Sequence, residues 1–175
     1  MLGPNKALKL APTNIHEILE RVGTLLEAES KGRLNFERDY DPSIPEFKGD
    51  KEQLIQAFLN IARNAMEAAF ENQGGHSSEE PPTITFRTRT LRQFTIGNRR
   101  HKLVCRVDVI DNGPGIPPEL VQNIFYPMIS GRASGTGLGL SITQSIIGQH
   151  RGLVECESEP GRTDFIIFLP LEDTP

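Results

Sequence analysis

The sequence predicts an α+β fold, a two-layer sandwich in which helices cover one face of a mixed sheet. Two observations support this prediction: the expected strands come mostly in hairpins, and helices lie between the hairpins rather than after every strand. That order favours a mixed sheet over a doubly wound parallel sheet. A length of 175 residues is typical of a single domain.

The first half of the chain is predicted to form a helix, a strand and a second helix. Residues 14–29 begin with the N-cap residue Asn14 and carry apolar side chains at helical spacing. Residues 34–40 alternate in polarity, as a strand does. Residues 50–72 begin with Asp50 and form the most regular amphipathic helix of the sequence.

The second half is predicted to form two hairpins with two helices between them. The turn residues Gly97 and Asn98 separate the two alternating runs of the first hairpin. The predicted segments are strands over 84–89 and 101–109, helices over 117–125 and 137–149, and strands over 153–158 and 163–169.

The composition indicates a folded protein and excludes several classes of function. Nineteen basic and 23 acidic residues give a net charge of −4 without a long basic block, so nucleic-acid binding is not indicated. The longest apolar run, 165–169, is too short to span a bilayer, and no signal peptide is evident, so we expect a cytoplasmic protein. Cys105 and Cys156 lack metal-ligand spacing and are predicted to be core thiols. We expect residues 1–12 to be a linker or terminal segment and 13–175 to be the domain.

Asn60 and Asn64 are the first residues that could carry chemistry. They lie four residues apart on one face of the predicted helix, at the border of its apolar stripe. A solvated polar face would explain the pair equally well. An asparagine also supplies a neutral carbonyl oxygen, which suits a Mg²⁺ ion that takes its other ligands from phosphates and water.

A second candidate segment is DNGPGI, Asp111 to Ile116, which directly follows a predicted strand. Two glycines and a proline are ordinary turn residues, so a turn alone would account for the segment. The Asp111 carboxylate could accept hydrogen bonds from the amino group of an adenine, and Gly113 and Gly115 would let the backbone close around a flat base.

A third candidate segment is SGTGLGL, Ser134 to Leu140, at the start of a predicted helix. Clustered glycines before a helix let several backbone N–H groups converge on a phosphate. The preceding residues 129–134 are loop-like, so the segment is not a Rossmann fingerprint, and the chain has no GxxxxGK[ST] P-loop.

These segments occur in a fixed order: Asn60 and Asn64 in LNIARNA, DNGPGI, IFYPM, GTGLGL and PGRTDF. Over residues 33–170 the set resembles the ATP-binding catalytic domain of sensor histidine kinases, of the Bergerat fold shared with gyrase-type ATPases. The segments FYPMISGR and DYDPSIPEF resemble the nitrogen-regulation type of these kinases. Five ordered motifs are far more specific than any one of them.

The resemblance implies a role for individual residues. Asn64 would hold Mg²⁺, Asp111 would bind adenine, and residues 125–134 would form a lid over the nucleotide. The implied cofactor-binding residues are Asn64, Asp111, Gly113, Gly115, Ile116, Phe125, Gly135, Thr136, Gly137, Leu138, Gly139 and Thr163. The implied catalytic residues are Asn60 and Arg132, the arginine being the cation of the lid, beside the γ-phosphate.

Asn60 also bears on the type of reaction. Gyrase-like members of the fold carry a glutamate at this helical position that activates water, and an amide cannot take that proton. The resemblance therefore implies phosphoryl transfer to histidine rather than hydrolysis. The chain departs from many sensor kinases at Arg63 and Glu67, where an acidic residue and a lysine are common, so the identity of a general base stays open.

None of the four histidines matches a phosphoacceptor. His16 is followed by Glu17, but the sequence then continues Ile-Leu-Glu-Arg-Val without the proline of the acceptor motif. His76, His101 and His150 lie in a loop, near a hairpin turn and at a helix end. We therefore expect the phosphoacceptor dimerisation domain to be absent and the chain to be inactive in autophosphorylation on its own.

The function predicted from the sequence is transfer of the γ-phosphoryl group of Mg-ATP to a histidine on a separate dimerisation domain. The resemblance implies three partners: the dimerisation domain of the same kinase, a response regulator and a PII-type signal protein. Two other functions stay open, a self-standing Bergerat ATPase or anti-sigma-type serine kinase, and a nucleotide-controlled docking module that supports dephosphorylation of the regulator.

Overall fold

The computed structural model describes residues 7–71, 80–121, 124 and 137–172. Their elements, in chain order, are β1 Ala11–Thr13, α1 Ile15–Ser30, β2 Asn35–Asp39, β3 Phe47–Gly49, α2 Lys51–Glu71, β4 Thr83–Ile96, β5 Arg99–Asp111, α3 Pro118–Val121, α4 Gly137–Gln149, β6 Leu153–Glu159 and β7 Arg162–Pro170.

Five strands form one mixed sheet in the order β2-β4-β5-β7-β6. Only β2 pairs in parallel, with β4, and the other three pairs are antiparallel. The fold class predicted from the sequence, an α+β sandwich with a mixed sheet, is confirmed. No helix among the described residues is long and apolar enough to span a membrane.

The main core lies between the sheet and the helices α1, α2 and α4. Alternate strand residues face this layer, and the apolar stripe of α2 packs onto them because its buried positions recur every three to four residues. The core side chains of the central strands are Ile84, Phe86, Cys105, Val107, Val109, Phe165, Ile167 and Leu169. One face of the sheet is therefore covered by helices, as predicted.

A second, smaller apolar cluster lies on the other face of the sheet. Val104, Ile166 and Phe168 are its buried members, and they alternate along β5 and β7 with residues of the main core. Leu91 and Phe94 of the long β4–β5 hairpin pack against them. The hairpin therefore has a small core of its own.

The two long helices begin at the predicted N-caps. The Asn14 side chain accepts a hydrogen bond from the backbone N–H of His16 at 2.9 Å. The Asp50 carboxylate accepts one from the N–H of Gln53 at 3.2 Å. Such side-chain acceptors satisfy the N–H groups that the first helical turn leaves without partners.

The pair of strands β1 and β3 was not predicted. They form a separate antiparallel ribbon in which Thr13 Oγ1 donates to the carbonyl of Gly49 at 3.2 Å. Ala11 and Pro12, expected to belong to a linker, are part of this ribbon. Strands of three residues are too short to show an alternating pattern, and the two are more than thirty residues apart in the chain, so no local signal reveals their pairing.

Candidate nucleotide-binding site

The site is built along one face of α2. Asn60, Asn64 and Ala68 follow each other at intervals of four residues, so they lie one above another with a rise of about 6 Å per step. A Cβ added to Gly113 would lie 2.6 Å from the carbonyl oxygen of Ala68. The DNGPGI turn therefore rests directly on the helix, one turn beyond Asn64.

Asp111 is the last residue of β5 and is almost fully buried, with 2% of its surface exposed. One carboxylate oxygen accepts a hydrogen bond from the N–H of Gly113 at 2.9 Å. Thr163 is its direct neighbour on β7 and is equally buried. The structure thus brings together two of the predicted cofactor-binding residues, Asp111 and Thr163, at the start of the turn.

The two glycines of the turn are required for different reasons. Gly113 cannot carry a side chain because the α2 backbone occupies the space. Gly115 has a φ of 91°, and a Cβ there would lie 2.4 Å from the carbonyl of Glu159. The turn is therefore held between α2 and the β6–β7 hairpin, and a loop of another sequence could not replace it.

Ser158 connects the end of the turn to Thr163. Its hydroxyl accepts a hydrogen bond from the N–H of Ile116 at 2.8 Å and lies 3.0 Å from Thr163 Oγ1. The N–H of Gly161 donates to the carbonyl of Pro114 at 3.3 Å. These bonds fix Ile116 and Thr163 in one polar network.

The register between α2 and α4 places the phosphate segment next to Asn64. The N–H of Asp50 donates to His150 at 3.0 Å, and Thr143 Oγ1 donates to the carbonyl of Ala57 at 3.3 Å. Moving seven residues forward along α2, from Asp50 to Ala57, therefore corresponds to moving seven residues back along α4, from His150 to Thr143. The two helices run antiparallel. A further seven residues bring Asn64 level with the N-terminal end of α4.

Asn64 is buried, with 3% of its surface exposed, and its Nδ2 donates to the carbonyl of Asn60 at 3.1 Å. This bond uses one N–H of the amide for the helix itself, and the carbonyl oxygen is the atom suited to a metal. Asn60 is half-buried on the same face. The two predicted asparagines are therefore brought together, with Asn64 nearer to the Asp111 turn.

Arg63, at a position where many sensor kinases are acidic, faces α1 instead. Its guanidinium forms a bidentate ion pair with Glu29, with nitrogen–oxygen distances of 2.9 and 3.0 Å. The carboxylate of Glu29 raises the pKa of Arg63. Arg63 thus links α2 to α1.

Part of the predicted site lies outside the described residues. This holds for Phe125, Arg132, Gly135, Thr136 and the remainder of the lid at 125–134. Gly137, Leu138 and Gly139 form the first helical turn of α4. The helix begins at the predicted residue, which gives these glycines the helix N-terminus expected of a phosphate site.

Among the described residues, His16 and both cysteines make structural contacts. His16 Nε2 lies 2.8 Å from Thr88 Oγ1, and its ring stacks on Tyr40. Burial raises the pKa of both thiols to about 12. Both cysteines are free; Cys105 lies in the core as predicted, whereas Cys156 is half-buried and packs against the edge of the core.

Two residues of the site were not anticipated. Asn112 accepts from the N–H of Thr83 and donates to the carbonyl of Pro81, both at 2.9 Å, so it joins the turn to the start of β4. Ser158 lies in an ordinary alternating strand and carries no sequence signal. The asparagine in DNG, by contrast, follows a strand end, where Asx side chains commonly bond to nearby backbone.

A mixed sheet under helices, with a buried carboxylate at a strand end beside a helix that bears asparagines, defines a nucleotide-binding ATPase-like domain. Residues 49–173 match the family model described as histidine kinase-, DNA gyrase B- and HSP90-like ATPase. The chain belongs to this family.

The curated relatives narrow the assignment. Over 171 residues the chain is 51% identical to the sensory histidine kinase/phosphatase NtrB of Vibrio alginolyticus and 47% identical to that of Salmonella typhimurium. Each match covers 98% of this chain and 47% of the relative. The chain is therefore similar to the NtrB sensor kinases, in agreement with the predicted resemblance to the nitrogen-regulation type, and it spans about half the length of these relatives.

Solved structures agree with this assignment. The catalytic domain of the histidine kinase ThkA superposes with a TM-score of 0.75 at 28% identity, covering 94% of this chain and 97% of that one. ThkA in complex with the response regulator TrrA matches with a TM-score of 0.70 at 25% identity, covering 93% and 42%. The prediction of an ATP-binding catalytic domain of a histidine kinase is confirmed, and a self-standing ATPase or serine kinase is not favoured.

Proposed function

We propose that this domain binds Mg-ATP along α2 and transfers the γ-phosphoryl group to a histidine on the dimerisation domain of the same kinase. The observation that supports this most directly is the order of three groups along α2. The buried Asp111 lies beneath the turn, Asn64 lies one helical turn further along, and the start of α4 lies level with Asn64.

The adenine would bind at the Asp111 end of this series. A buried carboxylate is a strong acceptor for an exocyclic amine, and Thr163 beside it adds a hydroxyl that can donate or accept. Gly113 and Gly115 let the turn pack closely against α2 and the β6–β7 hairpin, which holds its backbone beside Asp111. Ile116, which packs against the main core, would supply apolar contact.

The phosphates would lie at the other end. Gly135, Thr136, Gly137, Leu138 and Gly139 would offer backbone N–H groups at the N-terminus of α4. Asn64 would place its carbonyl oxygen on a Mg²⁺ ion, and a neutral oxygen donor fits a metal that arrives already bound to phosphates. When bound, the metal neutralises charge on the transferring group.

The choice of transfer over hydrolysis is proposed to depend on Asn60. Its amide cannot accept a proton from water, so the domain lacks a water-activating base at this position. Arg132 and Phe125 belong to the proposed lid, in which Arg132 would stabilise negative charge on the γ-phosphate.

The proposed partners of this kinase are taken from the curated relatives and from the solved structures that the chain resembles. ThkA has been crystallised with a response regulator, and we infer that the kinase containing this domain acts on a regulator and responds to a PII-type signal protein in the cytoplasm. The curated relatives are named as kinase/phosphatases. The same domain could therefore support dephosphorylation, with its nucleotide controlling how the two proteins dock.

The test is transfer of label from γ-labelled ATP to a supplied dimerisation domain. We expect transfer with the native chain and a loss of at least about a hundredfold with Asn64→Ala, because a metal ligand is removed. Gln56→Ala, an exposed residue on the same helix, is the matched control and should leave transfer unchanged. Normal transfer by a folded Asn64→Ala chain would refute the metal assignment. Steady ATP hydrolysis without any acceptor would favour an ATPase.

A further inference from the structure

The hairpin of β4 and β5 extends beyond the rest of the sheet. The two strands pair from Ile84–Asp111 to Ile96–Arg99. Their neighbours end earlier, since β2 pairs with β4 only as far as Arg87, and β7 pairs with β5 only from Val104. The distal residues 92–103 therefore form a two-stranded ribbon that reaches roughly 17 Å past the sheet, at about 3.3 Å per residue.

The hairpin carries a charge opposite to that of the rest of the chain. Residues 87–106 contain seven of the nineteen lysines and arginines and no acidic residue. The remaining residues contain twelve basic and 23 acidic ones. Seven cations spread over twenty positions do not form a block in the sequence, but the hairpin register brings them onto one ribbon.

The cations at the base and at the tip of the hairpin differ in their partners. Arg87 and Arg89 pair with Asp39, and Arg106 pairs with Asp108. The basic tip consists of the exposed residues Arg92, Arg99, Arg100 and Lys102. Within the described part of the chain, no carboxylate forms an ion pair with Arg92, Arg100 or Lys102.

Contacts with β7 and with Glu172 hold the basic tip in place. Phe94 stacks on Phe168 of β7 with ring centroids 4.6 Å apart. Glu172 lies 2.9 Å from the Nδ1 of the buried His101 and accepts hydrogen bonds from the N–H of Lys102 at 2.9 and 3.0 Å. A ribbon ordered before binding loses less conformational entropy when a partner docks.

We propose that the basic tip is a docking surface for an acidic face of a partner protein. Guanidinium groups recognise carboxylates through paired hydrogen bonds, and the tip offers several cations on one narrow ribbon. A long polyanion or an anionic membrane would extend past the tip and meet a body with 23 acidic and twelve basic residues, which would repel it. None of the proposed nucleotide-binding residues lies in the basic segment 87–106, so this proposal stands apart from the proposed function.

The test compares two triple variants of the native chain. The tip variant is Arg92→Gln, Arg100→Gln and Lys102→Gln. The control variant, Lys9→Gln, Arg21→Gln and Lys31→Gln, removes the same charge from exposed residues elsewhere. The probes are a labelled oligo-glutamate peptide, a mixed-sequence DNA oligonucleotide, and vesicles of phosphatidylcholine with phosphatidylglycerol.

We expect the peptide to bind the native and control chains alike and to bind the tip variant at least about tenfold more weakly, with an affinity that falls as salt is added. Thermal unfolding should show that both variants are folded. Equal peptide binding by the two variants would overturn the proposal. Tighter binding of DNA or vesicles than of the peptide, abolished in the tip variant, would also overturn it and identify a polyphosphate or lipid surface.

Discussion

Asp111 is the side chain that we propose selects the base of the nucleotide. Its carboxylate is buried, and the N–H of Gly113 holds one of its oxygens. The neighbouring Asn112 has a different task, because its amide joins the turn to β4. Sequence patterns located the carboxylate, but they could not separate the two roles, since both residues are typical of turns.

We predict that ATP and ADP bind far more tightly than GTP. The carboxylate accepts from the amino group of adenine but would face the carbonyl oxygen of guanine, a mismatch of about 1–3 kcal/mol. Competition against a fluorescent ADP analogue measures the difference. Asp111→Asn should reduce the preference, whereas Gln56→Ala should keep it. Equal affinities for ATP and GTP in the native chain would contradict the assignment.

Both thiols are predicted to be unreactive in the folded chain. Burial raises the pKa of Cys105 and Cys156 to about 12, so almost no thiolate is present near pH 8. An aromatic disulfide reagent should modify both thiols rapidly in urea and at least about a hundredfold more slowly without it. Fast modification of either thiol in the native chain would show that it is accessible.

At the level of elements, the contact between the end of α4 and the start of α2 sets the relative position of the two helices that carry the candidate site. His150 Nδ1 donates to the carbonyl of Ile146 at 2.9 Å, and Nε2 accepts from the N–H of Asp50 at 3.0 Å. Only the neutral ring with its proton on Nδ1 makes both bonds. A histidine at a helix end is unremarkable in sequence, so its long-range partner could not be foreseen.

The charged groups around His150 are few. The carboxylate of Asp50 favours the protonated ring, but burial opposes it more strongly, and the pKa of His150 is lowered from its usual 6.5. Lys48, Arg151 and Glu172 line a cavity of about 240 Å³ next to the ring. Two of these three groups are cationic and one is anionic.

We predict that acid destabilises the domain partly through His150. Because its folded pKa is lowered, the unfolded chain binds the proton more tightly, so the stabilisation is complete above about pH 6.5 and is lost as the pH falls through the folded pKa. His150→Gln should lose this part of the pH dependence of the unfolding free energy, at most about 1.4 kcal/mol per pH unit. Urea titrations at several pH values measure it.

His16→Gln is the matched control for that experiment. Burial also lowers the pKa of His16, but its ring contacts Thr88 and Tyr40, far in the chain from the α2–α4 contact. Only His150→Gln should weaken ATP binding as well. An unchanged ATP affinity in a folded His150→Gln chain would show that the contact does not position the site.

The lid carries a prediction of its own. Arg132 is proposed to contact the γ-phosphate, which ADP lacks. Arg132→Ala should therefore slow phosphoryl transfer by at least about tenfold while it changes ADP affinity less than about twofold. Rapid-quench transfer and ADP titration separate the two effects. Equal losses in both measurements would assign Arg132 to nucleotide binding in general.

Across the whole molecule, the predictions succeeded where a pattern repeats within one element. The two long helices begin at their predicted N-caps, and α4 has its predicted bounds. The β1–β3 ribbon and the bond from Asp50 to His150 were missed because they join distant segments. The motif residues of the candidate site stay predictions based on their chemistry, whereas Ser158, which connects two of them, has no local signature.

Two aspartates on the open face of the sheet make the stability of the domain depend on pH. Asp108 and Asp164 are both buried there, and burial together with the neighbouring Asp108 carboxyl raises the pKa of Asp164. The pair therefore keeps a proton that the unfolded chain releases above its usual pKa of 3.8. This contribution is present at low pH and is lost as the pH rises through the folded pKa.

We predict that Asp164→Asn removes this loss of stability with rising pH. The unfolding free energy of the native chain should fall relative to that of the variant between about pH 4 and neutrality, by at most about 1.4 kcal/mol per pH unit. Urea titrations of both chains across this range provide the comparison. Parallel pH profiles would show that Asp164 is ionised in the folded chain.

One strand, β5, ends in Asp111 and begins beside the hairpin turn. Nine residues separate Lys102 from Asp111, a distance of roughly 30 Å along an extended strand. A protein docked at the proposed basic tip would therefore be kept about 30 Å from the proposed adenine site. Partner and nucleotide can thus be bound at the same time without competing for space, and an insertion within the strand would change the spacing between them.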